Sequence, residues 1–425
     1  MTTRISTTCL IIGGGPAGMI AGLLLARSGV TVTVIEKHGD FLRDFRGDTV
    51  HPTTLELLDD LGLFEAFDAL PHSRIQEVNV PRAGGGTVRL GDLRRLPLKH
   101  PYIAMIPQWD FLNLIAAAGE REPGFTLRLR TEATSLLFED GQVVGARIAD
   151  DAGAGEIRAH LTLAADGRWS TAAREASLPV RDFPVDADVW WFRLPTAEGE
   201  DRLISGSLLP RSIAGQLYVG IPRPGYLQVA RIIPKGADPH LRAAGIGALR
   251  RDVAAAYPEL PKAVAALEFD DVKLLDVRVT RLARWHAKGL LCIGDAAHAM
   301  SPIAGVGINL AIQDGVAAAR LLAAPLLAGT IGDRDVAAVQ RRRTPPTVAT
   351  QTMQRFLHRG LSRVMREGAE LAAPPALAWL VEHFPALTVL PAYAAGVGLR
   401  PEHAPSAARR PPYRPERGAR RARLN

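Results

Sequence analysis

With 425 residues, 47% of them hydrophobic and 22% charged, the chain has room for a large core and more than one domain, and its composition excludes a fibrous or low-complexity protein. Its +7 net charge sits mostly in residues 401–425, where Arg409, Arg410, Arg414, Arg417, Arg420, Arg421 and Arg423 face only Glu402 and Glu416. This reads as a solvated, disordered tail, and no aromatic-interleaved basic patch elsewhere points to nucleic acid. Two cysteines, Cys9 and Cys292, lack metal-ligand or CxxC spacing and suit structural thiols in a reducing, cytoplasmic setting.

The polar residues 1–8 do not resemble a signal peptide, and no run of 18 apolar residues predicts a transmembrane helix. An apolar run at 9–12 predicts a buried parallel strand, followed by a glycine cluster, a helix over 16–28 closed by Gly29, and a β-branched strand over 31–35. This is one βαβ unit. Helical spacing follows at 52–61 and 110–118. Residues 139–142 read as a hairpin turn between strands 134–138 and 143–148, and 159–164 as a further strand. Between 185 and 234 the pattern changes to short strands (189–193, 216–221, 226–233) separated by Gly/Pro turns, which predicts an inserted antiparallel sheet. Helical patterns around 241–256 lead to a buried strand at 289–293. Helices over 307–327 and 333–368 follow, the second interrupted near Pro345-Pro346. Residues 371–399 are apolar but broken by four prolines, and are expected to pack over the core, with monotopic membrane contact as the alternative. The expected organisation is an α/β dinucleotide-binding domain from 1–180 and 275–330, an inserted sheet domain from 181–274, a helical region from 331–400 and the tail from 401–425.

Three segments carry chemistry. Gly13-Gly14-Gly15-Pro16-Ala17-Gly18 is a GxGxxG between strand and helix; glycines at Gly13, Gly15 and Gly18 permit a tight turn and close approach of a pyrophosphate to the helix N-terminus. Glu36, with Lys37 beside it, ends the second strand at the distance where a carboxylate accepts from ribose hydroxyls; its bland reading is a solvated strand end. Asp166-Gly167, with Ser170 and Arg174, follows a strand and alone reads as a turn with a capped helix. Gly294-Asp295-Ala296-Ala297-His298 precedes Pro302, Gly305-Val306-Gly307, Asn309 and Asp314. Asp295 is placed to accept from a polyhydroxyl chain, and the free N–H groups at 305–309 suit an electron-rich ring edge. His298 is a catalytic base or, on the bland reading, a buried hydrogen-bonded residue.

In order and spacing these segments resemble the three fingerprints of the single-component aromatic-hydroxylase flavoproteins, the p-hydroxybenzoate hydroxylase-like group, over about residues 5–330. The resemblance implies a Rossmann-type FAD-binding domain of that fold, with the inserted antiparallel sheet as substrate domain and helices at the C-terminal end. It assigns the first motif to the ADP half of FAD, the middle one to the pyrophosphate and pyridine-nucleotide use, and the third to the ribityl chain and flavin. It further implies that Arg46 and Gln108 lie near FAD and that Pro302 faces an aromatic substrate. Val306 departs from the glutamine of many members, at a position where the backbone carries the function.

The implied reaction is NAD(P)H-driven hydroxylation of an aromatic or polycyclic, polyketide-like molecule by O₂ through a flavin C4a-hydroperoxide, with no metal, in a monomer or homodimer. His51, Tyr218 and Tyr226 are the weak candidates for a base that deprotonates a phenol, with structural roles as the alternative for each. A reductase or dehydrogenase on the same fold is the competing enzyme. A halogenase is disfavoured because Trp190-Trp191 and Ile106-Pro107 do not reproduce a Trp-x-Trp-x-Ile-Pro pattern. A non-enzymatic binding protein that makes contact through the tail is the remaining reading.

Overall fold

The computed structural model describes residues 3–42, 49–82, 85–196, 210–213, 215–223, 225–368 and 371–411. Its centre is a sheet in the order Leu290–Cys292, Gly153–Ala164, Thr3–Ile12, Val32–Ile35 and Phe125–Arg128, all parallel. His286–Ala287 adds an antiparallel edge, and the hairpin Glu132–Glu139/Gln142–Asp150 pairs antiparallel with Gly153–Ala164. Val32–Ile35 is buried on both faces, as expected of a parallel strand covered on two sides.

The helices Pro16–Arg27 and Gly307–Leu327 pack against each other over this sheet. Small residues set their distance. A Cβ added at Gly315 would meet the Ala17 carbonyl oxygen at 2.6 Å, so only glycine permits this approach. Gly307–Leu327 is long and apolar enough to cross a membrane, but most of it is buried inside the protein.

The inserted sheet runs Pro210–Ile213, Gln216–Arg223, Tyr226–Pro234, Ala187–Pro195, Lys273–Leu275, antiparallel throughout. Alternation gives it two faces. Trp190, Phe192, Leu194, Tyr218 and Val229 pack under the helices Asp238–Ala243, Ile246–Ala256 and Pro261–Ala266, against Leu249, Val253 and Tyr257. The opposite face carries Val189, Trp191, Val219 and Ala230.

Three expectations for the C-terminal third are corrected. Asp333–Glu367 is one helix through Pro345 and Pro346, not two. Its inner face is fastened along its length by buried polar groups, from Arg343 through Gln351 and Gln354 to His358, and this tertiary hold outweighs two missing backbone donors. Residues 371–399 do not pack over the main core as one apolar cover but join two smaller clusters. Ala378, Val381, Ala392 and Val397 pack inward, whereas Trp379, Phe384 and Leu390 stay more than half exposed. Residues 401–411 are packed rather than disordered. Glu402 is buried and pairs with Arg320 (3.0 Å) and Arg342 (2.5 Å), while Arg410 donates to Glu122. The rest of the tail, 412–425, lies outside the described residues.

Gly315→Ala should lower stability by about 1–3 kcal/mol in denaturant unfolding, because the added methyl meets backbone that cannot yield. Gly360→Ala, a helix position with no atom within 4 Å of an added Cβ, should instead leave stability unchanged or raise it by up to about 1 kcal/mol. Equal losses in the two variants would refute the close-approach explanation.

Candidate active site

The ends of the parallel strands and the inner face of the inserted sheet enclose one cavity of about 1450 Å³. The glycine turn forms one wall. Gly13 has φ +109°, and a Cβ there would meet the Ala165 carbonyl at 2.3 Å, whereas a Cβ at Gly15 would meet nothing within 4 Å. The first glycine thus closes the turn and Gly15 opens it to the cavity, at the N-terminus of the helix Pro16–Arg27. Pro16 and Ala17 also line the cavity, whereas Gly18 packs back on the Gly13 carbonyl.

Glu36 Oε2 accepts from Gly14 N (3.0 Å) and Oε1 from His38 N (3.1 Å), so the carboxylate fixes the turn while bordering the cavity beside Lys37. Asp166 Oδ2 accepts from Ala172 N (3.2 Å), Oδ1 is buried with no partner, and burial raises the carboxyl pKa. Asp295 borders the cavity with no hydrogen bond to its carboxylate among the described residues. Two acidic side chains with unsatisfied oxygens, beside an open glycine cradle, fit the sugar hydroxyls and pyrophosphate of FAD. Gln108, at the start of the helix Gln108–Gly119, lines the same cavity. Arg46 lies outside the described residues.

The third motif is held from behind. Thr49 Oγ1 donates to the Gly305 carbonyl (2.7 Å), and His51 Nε2 lies 3.1 Å from the same oxygen. In a trans peptide the C=O and the following N–H point opposite ways, so anchoring this carbonyl turns the Val306 N–H away from Thr49 and His51. Gly305 and Gly307 line the cavity, but Val306 and Asn309 do not. The Val306 side chain is buried, and Asn309 Oδ1 accepts from Thr53 and Thr54 (both 2.9 Å), tying the helix Pro52–Asp60 to Gly307–Leu327. Asn309 is therefore a brace rather than a side-chain ligand of the cofactor.

His298 takes its bland reading. It is buried, with Nε2 2.5 Å from Asp314 Oδ2, which also accepts from Gly294 N (3.0 Å); Arg343 Nε donates to Asp314 Oδ1 (2.9 Å). Burial alone would raise the Asp314 pKa, but His298 and Arg343 outweigh it and hold the carboxyl below its ordinary value.

The other end of the cavity is apolar: Val189, Trp191, Val219, Ile221, Ala230 and Ile232 from the sheet, facing Pro302 and Met105. The proposed bases do not serve it. His51 is fully buried and absent from the lining, its two nitrogens face the Gly305 and Ala395 carbonyls, and burial lowers its pKa. Tyr218 borders the cavity, but its ring packs edge-on against Tyr257 on the helix-covered face, its hydroxyl donates to Gln216 (2.6 Å), and burial raises its pKa. Tyr226 lies outside the lining, under the Arg193 guanidinium.

Sequence reasoning placed the long helix but missed its part in the site. Gln354 bonds Ser301 N, Ser301 O and Ile303 O, and His358 Nε2 lies 2.8 Å from Ser301 Oγ; together they hold the loop that carries Pro302. On its outer side Phe356, Leu357, Arg359 and Arg363 rim the cavity. The signal was present as polar residues at Arg343, Thr347, Gln351, Gln354, His358 and Ser362, spaced as one helix face.

A family model described as an FAD binding domain matches residues 6–355. The chain belongs to the FAD-dependent aromatic hydroxylase family. This hydroxylase-family chain is 33% identical over 388 residues to 6-methylpretetramide 4-monooxygenase of Streptomyces rimosus, covering 89% of itself and 90% of that protein. It is 28% identical to kynurenine 3-monooxygenase of Salinispora arenicola, covering 72% and 70%. The fold is shared with PqsL of Pseudomonas aeruginosa (TM-score 0.70, 21% identity, 85% and 98% covered) and with OxyS anhydrotetracycline hydroxylase of S. rimosus (0.71, 21%, 92% and 76%). FAD is its cofactor.

Two predictions follow from these contacts. Asp314→Asn should cost about 2–4 kcal/mol in unfolding free energy, since buried Arg343 loses its hydrogen-bonded charge partner and keeps only Glu402 at 3.6 Å. The native stability from Asp314 is fully present above the unfolded carboxylate pKa of about 3.9 and is lost as pH falls below it through the depressed folded value. The variant should lack that acid-side slope. Thr49→Val should raise the FAD dissociation constant about 5- to 30-fold and shift the bound-flavin spectrum, because Gly305 loses its strongest anchor. A Thr49→Val protein with unchanged FAD affinity and spectrum would show that the loop is fixed elsewhere.

Proposed function

We propose that the protein hydroxylates a polycyclic, polyketide-like aromatic molecule with NAD(P)H and O₂, the inserted sheet (181–274) acting as substrate domain. The observation that carries this reading is one continuous cavity with an FAD-fitting polar end and a broad apolar end opposite Pro302 and Gly305. A large fused-ring substrate suits that apolar wall, and the similarity to 6-methylpretetramide 4-monooxygenase along nearly both lengths points the same way. The buried, unpaired thiols of Cys9 and Cys292, both pushed up in pKa by burial, suit a cytoplasmic enzyme.

Bound FAD supplies electron transfer from NAD(P)H and delivery of one oxygen atom from O₂. The chain's own work is binding, orientation and exclusion of water. Gly15 and the helix behind it receive the pyrophosphate. Asp166 and Asp295 accept from sugar hydroxyls. The N–H groups after Gly305, turned by Thr49 and His51, stabilise charge at the flavin's pyrimidine edge. Among the described residues the carboxylates that line the cavity (Glu36, Glu132, Asp166, Asp295) all come from the FAD side, and none sits against the sheet as a phenol base. A substrate that is electron-rich or acidic in its own right, as hydroxylated fused rings are, suits that lining.

FAD-loaded protein should oxidise NAD(P)H faster with a hydroxylated fused-ring aromatic and yield product heavier by one oxygen atom. Accelerated NAD(P)H oxidation with reduced product and no oxygen insertion would move the protein to the reductase reading. Ala230→Phe, which fills the apolar end, should raise KM about tenfold or more and leave FAD occupancy unchanged. Loss of FAD in that variant would mean that the two ends are not separate.

A further inference from the structure

Five arginines border one strip of surface beside the cavity. Arg181 and Arg281 stand directly opposite each other in the antiparallel ribbon Val180–Phe183/Val279–Leu282, a placement in which like charges repel. The guanidinium groups of Arg281 and Arg355 both lie over the Phe183 ring, at 5.2 and 5.1 Å. Arg355, Arg359 and Arg363 follow at successive i, i+4 positions along the long helix, spanning about 12 Å, and the last two line the cavity.

Counter-charge is missing. Among the described residues Arg181, Arg355 and Arg359 have no acidic partner, and Arg281 is hydrogen-bonded only to neutral Gln351 (3.1 Å). Arg363 has Glu367 at 3.9 Å, and Asp182, next to Arg181, is taken by Arg278 (2.6 Å). Burial, then the charges of Arg181 and Arg355, lower the Arg281 pKa. Elsewhere the fold does pair such groups, as in Arg27 with Glu122 and Arg231 with Asp252. A like-charge cluster held together by an aromatic ring costs stability unless an anion joins it.

We propose that this strip is an anion-docking site for the phosphate or carboxylate of a small molecule whose other end enters the cavity. Planar guanidinium forks match both anions. Exposed Phe356 and Leu357, between Arg355 and Arg359, offer contact to an apolar body, and the strip ends inside the cavity rather than on an open face. The group has two sources: the phosphates of the dinucleotide electron donor, or an acidic substituent of the aromatic substrate. The inference rests on substrate and flavin meeting in this cavity, but docking is measured without turnover, so a failure to hydroxylate and a failure to dock are separate results.

Calorimetric titration of FAD-loaded protein with adenosine 2′,5′-bisphosphate, anthraquinone-2-carboxylate and neutral anthraquinone-2-carboxamide, at low and high salt, tests it. In Arg281→Gln and Arg355→Gln at least one anion should bind about 3- to 10-fold more weakly, with a shallower salt dependence, while the carboxamide is unaffected. Arg181→Thr should also weaken the anion yet hold or raise the melting temperature, since it removes a repulsion; a structural role would lower both. Weakening confined to the bisphosphate identifies the dinucleotide, and weakening confined to the carboxylate identifies the substrate's own group. The proposal is overturned if neither anion binds the wild type, if both bind the variants as tightly as the wild type, or if the carboxamide weakens equally.

Discussion

The site depends on a carboxylate that has no access to water. Asp314 sits two turns into the helix that follows the Gly305 loop, and it gathers Gly294 N and His298 from one segment and Arg343 from another. Burying a charge in this way is costly, and only a full set of donors offsets it. Gly294 therefore cannot drift, and Asp295, the next residue, is held at the cavity wall. Arg343 carries the restraint onward to the Arg400 carbonyl and Glu402, so the packed C-terminal stretch closes over the same charge network.

A second constraint is the parity of the inserted sheet. In Ala187–Pro195, Val189 and Trp191 face the cavity and Trp190, Phe192 and Leu194 the helical layer, and the pairing with Tyr226–Pro234 puts Ala230 and Ile232 on the first side and Leu227 and Val229 on the second. A slip of one residue would exchange Trp190 with Trp191 and bring polar and helix-packing groups into the apolar cavity wall. The apolar wall and the second core are thus two outcomes of one register, which explains why Tyr218, placed beside the cavity by sequence position, turns its ring the other way.

The cofactor end was legible because it is written locally. GxGxxG, Glu36, Asp166-Gly167 and Gly294-Asp295 are short segments whose backbone demands are visible in residue type alone, and the glycines at Gly13 and Gly305 take the positive φ that such turns require. The rest was illegible because it depends on distant partners. Nothing local indicates that Asn309 faces Thr53 and Thr54, that His51 lies between two carbonyls, or that Glu402 is buried against Arg320 and Arg342, far back in the chain. The continuous helix through Pro345-Pro346 is the same lesson in backbone form. The local penalty was read correctly, but side chains fastened to another element override it.

The long helix joins the two ends of the cavity mechanically. Its inner face, through Gln354 and His358, holds the Ser301 loop, and its outer residues from Phe356 to Arg363 form the rim that an entering molecule meets. Both sets of contacts lie on one helical stretch, from Gln354 to Arg363, beyond Pro345-Pro346. A ligand leaning on the rim therefore bears on the element that positions Pro302, one residue beyond Ser301 in the cavity lining. The rim and the Ser301 loop share that support, and the network at Asp314 and Arg343 anchors the same helix three turns earlier.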